Sequence, residues 1–537
     1  MTQFSFNLVD EPWIPCLSLE GGMVDLNLRE VLAQAHDLSD IACQSPLQMV
    51  AIYRLLLAIL HDNFGPKEMD DWQRLWDAKS LDMEKLGNYL GERRDRFDLF
   101  GDGRRFYQDD DGRVQPKSAV SLKYGTGFLH NPLFDHDNEL TGITLTPPEA
   151  ARLLLAVQQF GFGGLSGIEQ KHTDAPCAKG VIFIVQGRSL KETLLLNLIR
   201  YPYDLYFYED DGYFTDKPAW QEENPFALEV ERNNKPFGYL DYLTWQNRRI
   251  WLYPEQTEEG QVVVREWKVG PGLRLADDIK DPMKHYRASQ QHGFLVEQFD
   301  QNRKLWRNSY AYFALHKTGE GSDHPPRSFD WLRVLAREGK IPLDSTYRCK
   351  ALGLAKDRGK ALIAPLPEQF PLPLKYLQDE KLREHLQDAL QRTERTANAL
   401  LKALRISGMY LYLEKPDDYN WKLARINKNA KKSIPDFARD QIENWRQHSG
   451  AERYFWAELD PHFEKFALGL ADEKQQQAAS AEWCERVRDA AQSAFRNALQ
   501  STGDVPRAYK ALVHGEGYLN GRLNELFPKE KETEVTQ

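Results

Sequence analysis

Four glycines fall within eight positions at FGFGGLSG, Phe160 to Gly167. Glycine carries no Cβ, so its backbone can approach a ligand closely; such a cluster suits a phosphate cradle or a nucleic-acid groove. A phosphate cradle of the Rossmann or P-loop kind places its glycines after a strand and at the start of a helix. The order here is reversed. Thr146, Pro147, Pro148 and Glu149 form a capping box, and EAARLLLAVQQF then runs as a helix into Gly161. The glycines sit at a helix C-terminus, and neither GK[ST] nor a complete GxGxxG accompanies them. A C-cap followed by an irregular loop is the plain reading, and context must decide whether the loop does more.

Other chemistry-bearing residues are sparse. HExxH, GxSxG and Walker A patterns are absent. LFDHD, Leu133 to Asp137, holds a histidine between two aspartates, but no second cluster of acids and histidines completes a metal set. The five cysteines, Cys16, Cys43, Cys177, Cys349 and Cys484, include no CxxC pair, so no zinc site, cofactor or disulfide framework is expected. The cationic residues say more. WKLARINKNAKKSIP carries Lys422, Arg425, Lys428, Lys431 and Lys432 without an acid, either a solvated face or a DNA-backbone patch that Arg507 and Lys510 could extend. EWKVGPG places Lys268 two residues before Gly270, as at a hairpin tip, and KDRGK places Arg358 between Asp357 and Gly359 in a similar turn.

These residues need a frame. Ser45, Pro46 and Gln48 open a long helix read as amphipathic, and Ser189 with Glu192 caps another after the β-rich GVIFIVQG. Gly, Asp, Asn and Pro dominate from Asp98 to Pro148, and strand-like runs such as RIWLYP and GQVVVREWKVG follow between about Arg200 and Phe370. Pro365, Pro367, Pro371 and Pro373 mark a boundary. Beyond it, Asp379 to Leu404, Pro435 to His448, Arg453 to Leu470, Ala479 to Leu499 and Pro506 to Leu526 read as a bundle of about four long helices, with a break in one. The expected class is α+β: a mixed α/β N-terminal domain over residues 1–370 and a C-terminal four-helix bundle over 371–537.

With 537 residues and a net charge of −10, the chain has room for two full cores and is not built to coat nucleic acid by bulk charge. No apolar stretch approaches a membrane span, and MTQFSFNLVDEPW lacks a signal peptide's basic start, so a cytoplasmic protein without membrane partners is expected.

FNLVDEPWIP at Phe6 to Pro15, SPLQMVAIYRLLLAILHD, LFDH, GFGG, the DPM at Asp281 to Met283 and the helical C-terminus occur in one order. In that order the chain resembles the CasA (Cse-one) family, the large subunit of the type I-E CRISPR surveillance complex Cascade. The resemblance covers nearly the whole chain. It implies a non-catalytic subunit in a ribonucleoprotein with crRNA and the other Cascade subunits, including the small subunit. Such a subunit recognises the protospacer-adjacent motif (PAM) in double-stranded target DNA, begins R-loop formation and docks the CRISPR helicase-nuclease in antiviral defence. Carried over by residue, it implies that Gly161, Phe162, Gly163 and Gly164 lie against the PAM minor groove and that Lys268 enters it. It also implies that Phe134, Asp135 and His136 meet the crRNA 5′ handle and a neighbouring subunit. Asp357, Arg358 and Gly359 fall at the family's wedge, where glutamine is usual; arginine can still stack beneath a base pair. Gly163→Asp is expected to cost target binding without unfolding the domain. The rival readings are a scaffold subunit with no DNA readout of its own and a nucleotide-dependent enzyme, the latter disfavoured by the helix-first glycines.

Overall fold

The structure, a computed structural model, describes residues 4–123, 142–200, 216–227, 233–300, 302–314, 322–357, 361–420 and 432–528. It divides into two compact units: Met1–Leu305 with Ala311–Gln378, and Trp306–Tyr310 with Asp379–Gln537.

In the first unit, strands β1 (Ile14–Ser18), β2 (Met23–Leu26) and β3 (Leu38–Ile41) form a sheet of order β2-β1-β3. Helix α1 (Pro46–Phe64) follows, with the Ser45 hydroxyl accepting from Leu47 N–H. Its expected amphipathic pattern is not what the fold uses: every residue from Val50 to His61 is buried, because neighbouring elements surround it. The short strand β4 (Lys117–Ser118) comes next, then α2 (Pro147–Phe160), opened by the Thr146–Glu149 capping box. Strand β5 (Val181–Gln186) leads into α3 (Leu190–Leu196), capped by Ser189. Strands β6 (Arg248–Gln256) and β7 (Val262–Pro271) make an antiparallel hairpin, and β4 joins it in the order β4-β7-β6. A smaller ribbon, β8 (Tyr286–Ser289) and β9 (Gly293–Val296), precedes the long hairpin of β10 (Thr346–Asp357) and β11 (Ala361–Pro373), which extends β5 in the order β11-β10-β5.

The four prolines expected at a domain boundary lie inside β11 instead. They occupy alternate register positions, opposite Leu354, Leu352, Arg348 and Thr346. In an antiparallel ladder, residues of one parity point their N–H the same way. Because β11 is an edge strand, the missing donors all fall on its unpaired side, where proline costs no ladder bond. The first unit accordingly runs through Gln378, and residues 371–378, placed with the bundle by the division 1–370 and 371–537, belong to it.

The second unit contains four long helices, α4 (Glu380–Tyr412), α6 (Ala451–Ala471), α7 (Gln476–Gln500) and α8 (Pro506–Leu526), and a shorter α5 (Asp436–His448). Helix α4 packs against each of the others, and the helical C-terminus agrees with the expected fold class. The expected break does not interrupt a long helix: α6 continues even through Pro461. Trp306 and Arg307 belong here because Trp306 Nε1 donates to Asp460 at 2.7 Å, and Arg307 forms a two-pronged pair with Glu394 at 2.8 and 2.9 Å while lying over the Trp456 ring. No helix among the described residues is long and apolar enough to cross a membrane.

Candidate nucleic-acid interface

Helix α2 delivers the chain to Gly161, whose N–H bonds the Val157 carbonyl at 2.9 Å. Gly161 has φ −58°, so it is not a left-handed cap. It is glycine for room: a Cβ there would stand 2.8 Å from the Val157 carbonyl oxygen and about as close to the Arg248 guanidinium. From Gly161 the chain makes a tight excursion and returns. Gly164 and His172 exchange both backbone hydrogen bonds, at 3.1 and 3.0 Å. Gly163 N–H donates to Asp174 Oδ1 at 2.8 Å, and Ala175 N–H closes the base on the Gly161 carbonyl. The Ser166 hydroxyl braces the far turn by donating to the Gln170 carbonyl. The loop is therefore ordered by its own hydrogen bonds, with Gly163, Gly164 and Leu165 exposed on its outer side.

Arg248, at the start of β6, anchors it. Its guanidinium donates to the Phe162 carbonyl at 2.7 Å and the Thr173 carbonyl at 2.9 Å, clasping both limbs. The Arg248 backbone is held in turn by the buried Gln158 side chain of α2, through bonds of 2.8 and 2.9 Å. Burial pulls the Arg248 guanidinium down to about 10, against the opposing pull of Asp174, and it stays cationic at neutral pH. The sequence reading missed Arg248, Gln158 and Asp174; the adjacent Gln158 and Gln159 at the end of an otherwise apolar run were the available signal.

The β6–β7 hairpin starts at the same place. Arg248 pairs with Pro271, and Lys268 lies opposite Trp251, three residues or about 10 Å along the strand from that base. Lys268 is thus in the middle of β7 and not at a hairpin tip, as expected from EWKVGPG. The tip is at Thr257–Gln261, because Gly270 and Pro271 continue the strand. The Lys268 ammonium donates to Asp110 Oδ1 at 2.8 Å, and hydrogen bonds to Asp110 and then Tyr253 raise its pKa.

His172 supplies a pH dependence. Burial, with Arg248 and Lys117 nearby, lowers its pKa from 6.5 to about 4, so the folded loop holds it neutral. Below 6.5 the unfolded loop takes up a proton that the folded loop refuses, and stability is lost progressively as the pH falls towards 4. Thermal stability is expected to decline over that window in melts taken across a pH series, and His172→Gln is expected to flatten the decline.

The remaining expected residues are placed unevenly. Asp357 ends β10 opposite Ala361, while Arg358 and Gly359 lie outside the described residues. So do Phe134, Asp135, His136, Lys422, Arg425, Lys428 and Lys431; Lys432 begins a two-residue strand pairing with Tyr419. Arg507 and Lys510 are exposed in the first turns of α8. Among the described residues no group of three or more His, Cys, Asp or Glu could hold a metal ion. Burial pushes the Cys16 and Cys43 thiols up to about 12, which leaves both poor nucleophiles.

Two of the quoted motifs prove to be one structural feature. Arg54 of α1 pairs with Asp281 of DPM at 2.8 Å, both fully buried, and Tyr242 donates to the same carboxylate. Lys284, just past DPM, donates to the Pro176 carbonyl at 2.6 Å, beside the end of the glycine loop.

The family model for CRISPR-associated protein Cse1 matches residues 7–494. The CRISPR-associated protein CasA/Cse1 of Thermus thermophilus is 31% identical over 538 residues, spanning 97% of this chain and 98% of that protein. The crystal structure of Thermus thermophilus CasA has a TM-score of 0.77 at 27% identity, covering 97% of this chain and 100% of that one. A chain from a CRISPR RNA-guided surveillance complex has a TM-score of 0.70 at 20% identity, covering 96% and 99%. With a matching family model through both units and that identity along almost its whole length, the chain belongs to the CRISPR-associated Cse1 (CasA) family.

Proposed function

We propose that this chain is the large, non-catalytic subunit of a cytoplasmic type I-E CRISPR surveillance complex, and that its glycine loop and Lys268 read the PAM in double-stranded target DNA. The observation that carries this is Gly164. Gly161 is required by the fold, and a Cβ at Gly163 would crowd the His172 carbonyl at 3.2 Å. At Gly164 a Cβ would meet nothing within 4 Å and the backbone is not left-handed, so nothing inside the described chain requires glycine there. An exposed glycine on a braced turn, without an internal reason, fits a surface that something else must approach closely. A DNA minor groove is such a partner, because its base edges lie at the bottom of a narrow cleft.

In this reading Lys268 supplies a donor beside the loop, and the β10–β11 hairpin carries Asp357, Arg358 and Gly359 to the first base pair to start opening. Phe134, Asp135 and His136 meet the crRNA 5′ handle, and the basic run Lys422–Lys432 contacts DNA backbone. The other Cascade subunits, the small one among them, and the helicase-nuclease are the protein partners.

Gly164→Ala is the discriminating variant. It is expected to melt with the wild-type protein and to assemble, yet to lose at least tenfold in binding to a duplex bearing the preferred flank. Wild-type binding by the assembled variant would remove the glycine loop from the groove. Gly163→Asp is less clean than the sequence suggested, since its carboxylate would meet that of Asp174, which already accepts the Gly163 N–H.

A further inference from the structure

Three consecutive aspartates, Asp109, Asp110 and Asp111, lie on a turn that runs beside the β6–β7 hairpin, and each holds a different cation. Asp109 pairs with Arg249, and its backbone N–H is fixed to the Ile250 carbonyl at 2.9 Å. Asp111, buried, takes Arg113 with two bonds of 2.8 Å. It presses so closely on Gly270 that a Cβ there would collide with its carboxylate. Arg113 reaches on to Gln170 Oε1 of the glycine loop at 3.1 Å. The outer two acids thus moor the turn. Asp110 has neither a buried carboxylate nor an arginine fork: its exposed carboxylate is directed at Lys268, and its charge also reaches Arg105.

We infer that Asp110 is a specificity-determining residue, which cancels the charge of Lys268 while leaving its remaining N–H able to read a groove edge; the inference rests on the DNA-reading role proposed for Lys268. An unpaired lysine beside DNA attracts any phosphate, and that attraction carries no sequence information. An ammonium has three donors. Asp110 uses one and Tyr253 another, so Lys268 keeps one to donate to a base-edge acceptor presented by a duplex seated on the glycine loop. A duplex that meets the site only through its backbone finds a neutral pair flanked by two more acid–arginine pairs. Asp110 therefore suppresses unmatched binding more than matched binding. In the matched complex its removal gains little, because the restraint on the Lys268 side chain by Asp110 is lost at the same time.

The test is a double-mutant cycle in the reconstituted complex: wild type, Asp110→Asn, Lys268→Ala and the double variant. Each is titrated over a salt series with two duplexes that differ only in having a preferred or a scrambled flank. Asp110→Asn is expected to tighten scrambled-flank binding roughly two- to fivefold at low salt, the range of an exposed charge pair. It is also expected to steepen the salt dependence of that binding by about one phosphate contact and to change preferred-flank binding less. The Lys268→Ala background is expected to erase both effects. If Asp110→Asn leaves scrambled-flank binding unchanged, or tightens it equally without Lys268, the inference is overturned; a loss of preferred-flank binding in Lys268→Ala would then leave the DNA-reading role standing. If Lys268→Ala changes neither duplex in either background, that role and the inference fail together.

Discussion

Arg248→Met is expected to abolish flank-dependent target binding and to destabilise the first unit by about 3 kcal/mol, since each buried acceptor stripped of its donor costs roughly 1–3 kcal/mol. Methionine keeps most of the aliphatic volume, so the loss is chiefly of hydrogen bonds. The Phe162 and Thr173 carbonyls lose the guanidinium that joins them, and the Asn247 carbonyl loses a bond of 3.0 Å. The glycine loop then depends on the Gly164–His172 bridge, the Gly163–Asp174 bond, the Ala175–Gly161 bond and the Ser166–Gln170 brace. Arg248→Lys is expected to fall between the two, because an ammonium cannot span two carbonyls with a planar fork. Thermal melting gives the stability change. Preferred-flank against scrambled-flank binding in the assembled complex separates loss of the loop from general weakening.

Asp281→Ala is expected to have the largest effect on stability. It leaves the Arg54 cation fully buried without its carboxylate, a change that costs roughly 3–5 kcal/mol. Tyr242 and the Met283 N–H lose their acceptor as well. Thermal melting is expected to show a drop of roughly 5–10 °C. The double variant Arg54→Met/Asp281→Leu is expected to regain part of the loss, because removing both charges removes the stranded one. The pair also carries an acid limb. Burial pushes the Asp281 carboxyl up, but Arg54 and Lys284 outweigh it and hold the group below its ordinary 3.8. A depressed carboxylate contributes stability above its unfolded pKa and loses it as pH falls through the folded one. The wild type is thus expected to lose stability progressively below about pH 4, while the double variant, which lacks this carboxylate, is expected to show a shallower acid limb.

The helices were legible from local chemistry. Thr146 with Glu149, Ser45 before Pro46, and Ser189 with Glu192 each announced a start within a few residues, and the apolar spacing after residue 379 announced the bundle. The glycine loop was legible as a loop at a helix end, but not its reasons. Gly161 serves crowding by Arg248, and that arginine comes from a strand far along the chain. Strand pairing was the least visible layer. The β11 prolines signal a break to any local reading, and only their shared parity on an edge strand makes them tolerable. Lys268 was misplaced because Gly270 and Pro271 look like a turn, although they continue β7. Asp174 and Asp110 act across 11 and 158 positions, respectively, on a loop amide and a strand lysine, and no local pattern encodes such partners.

The most direct measurement is target binding by the complex assembled with and without this chain, at fixed salt, on a duplex library randomised beside one protospacer. Enrichment of a short flanking motif only when the chain is present, and its loss with Gly164→Ala, is the outcome that follows from PAM reading by the glycine loop. Equal binding to all flanks whether or not the chain is present would contradict it and leave the protein a scaffold.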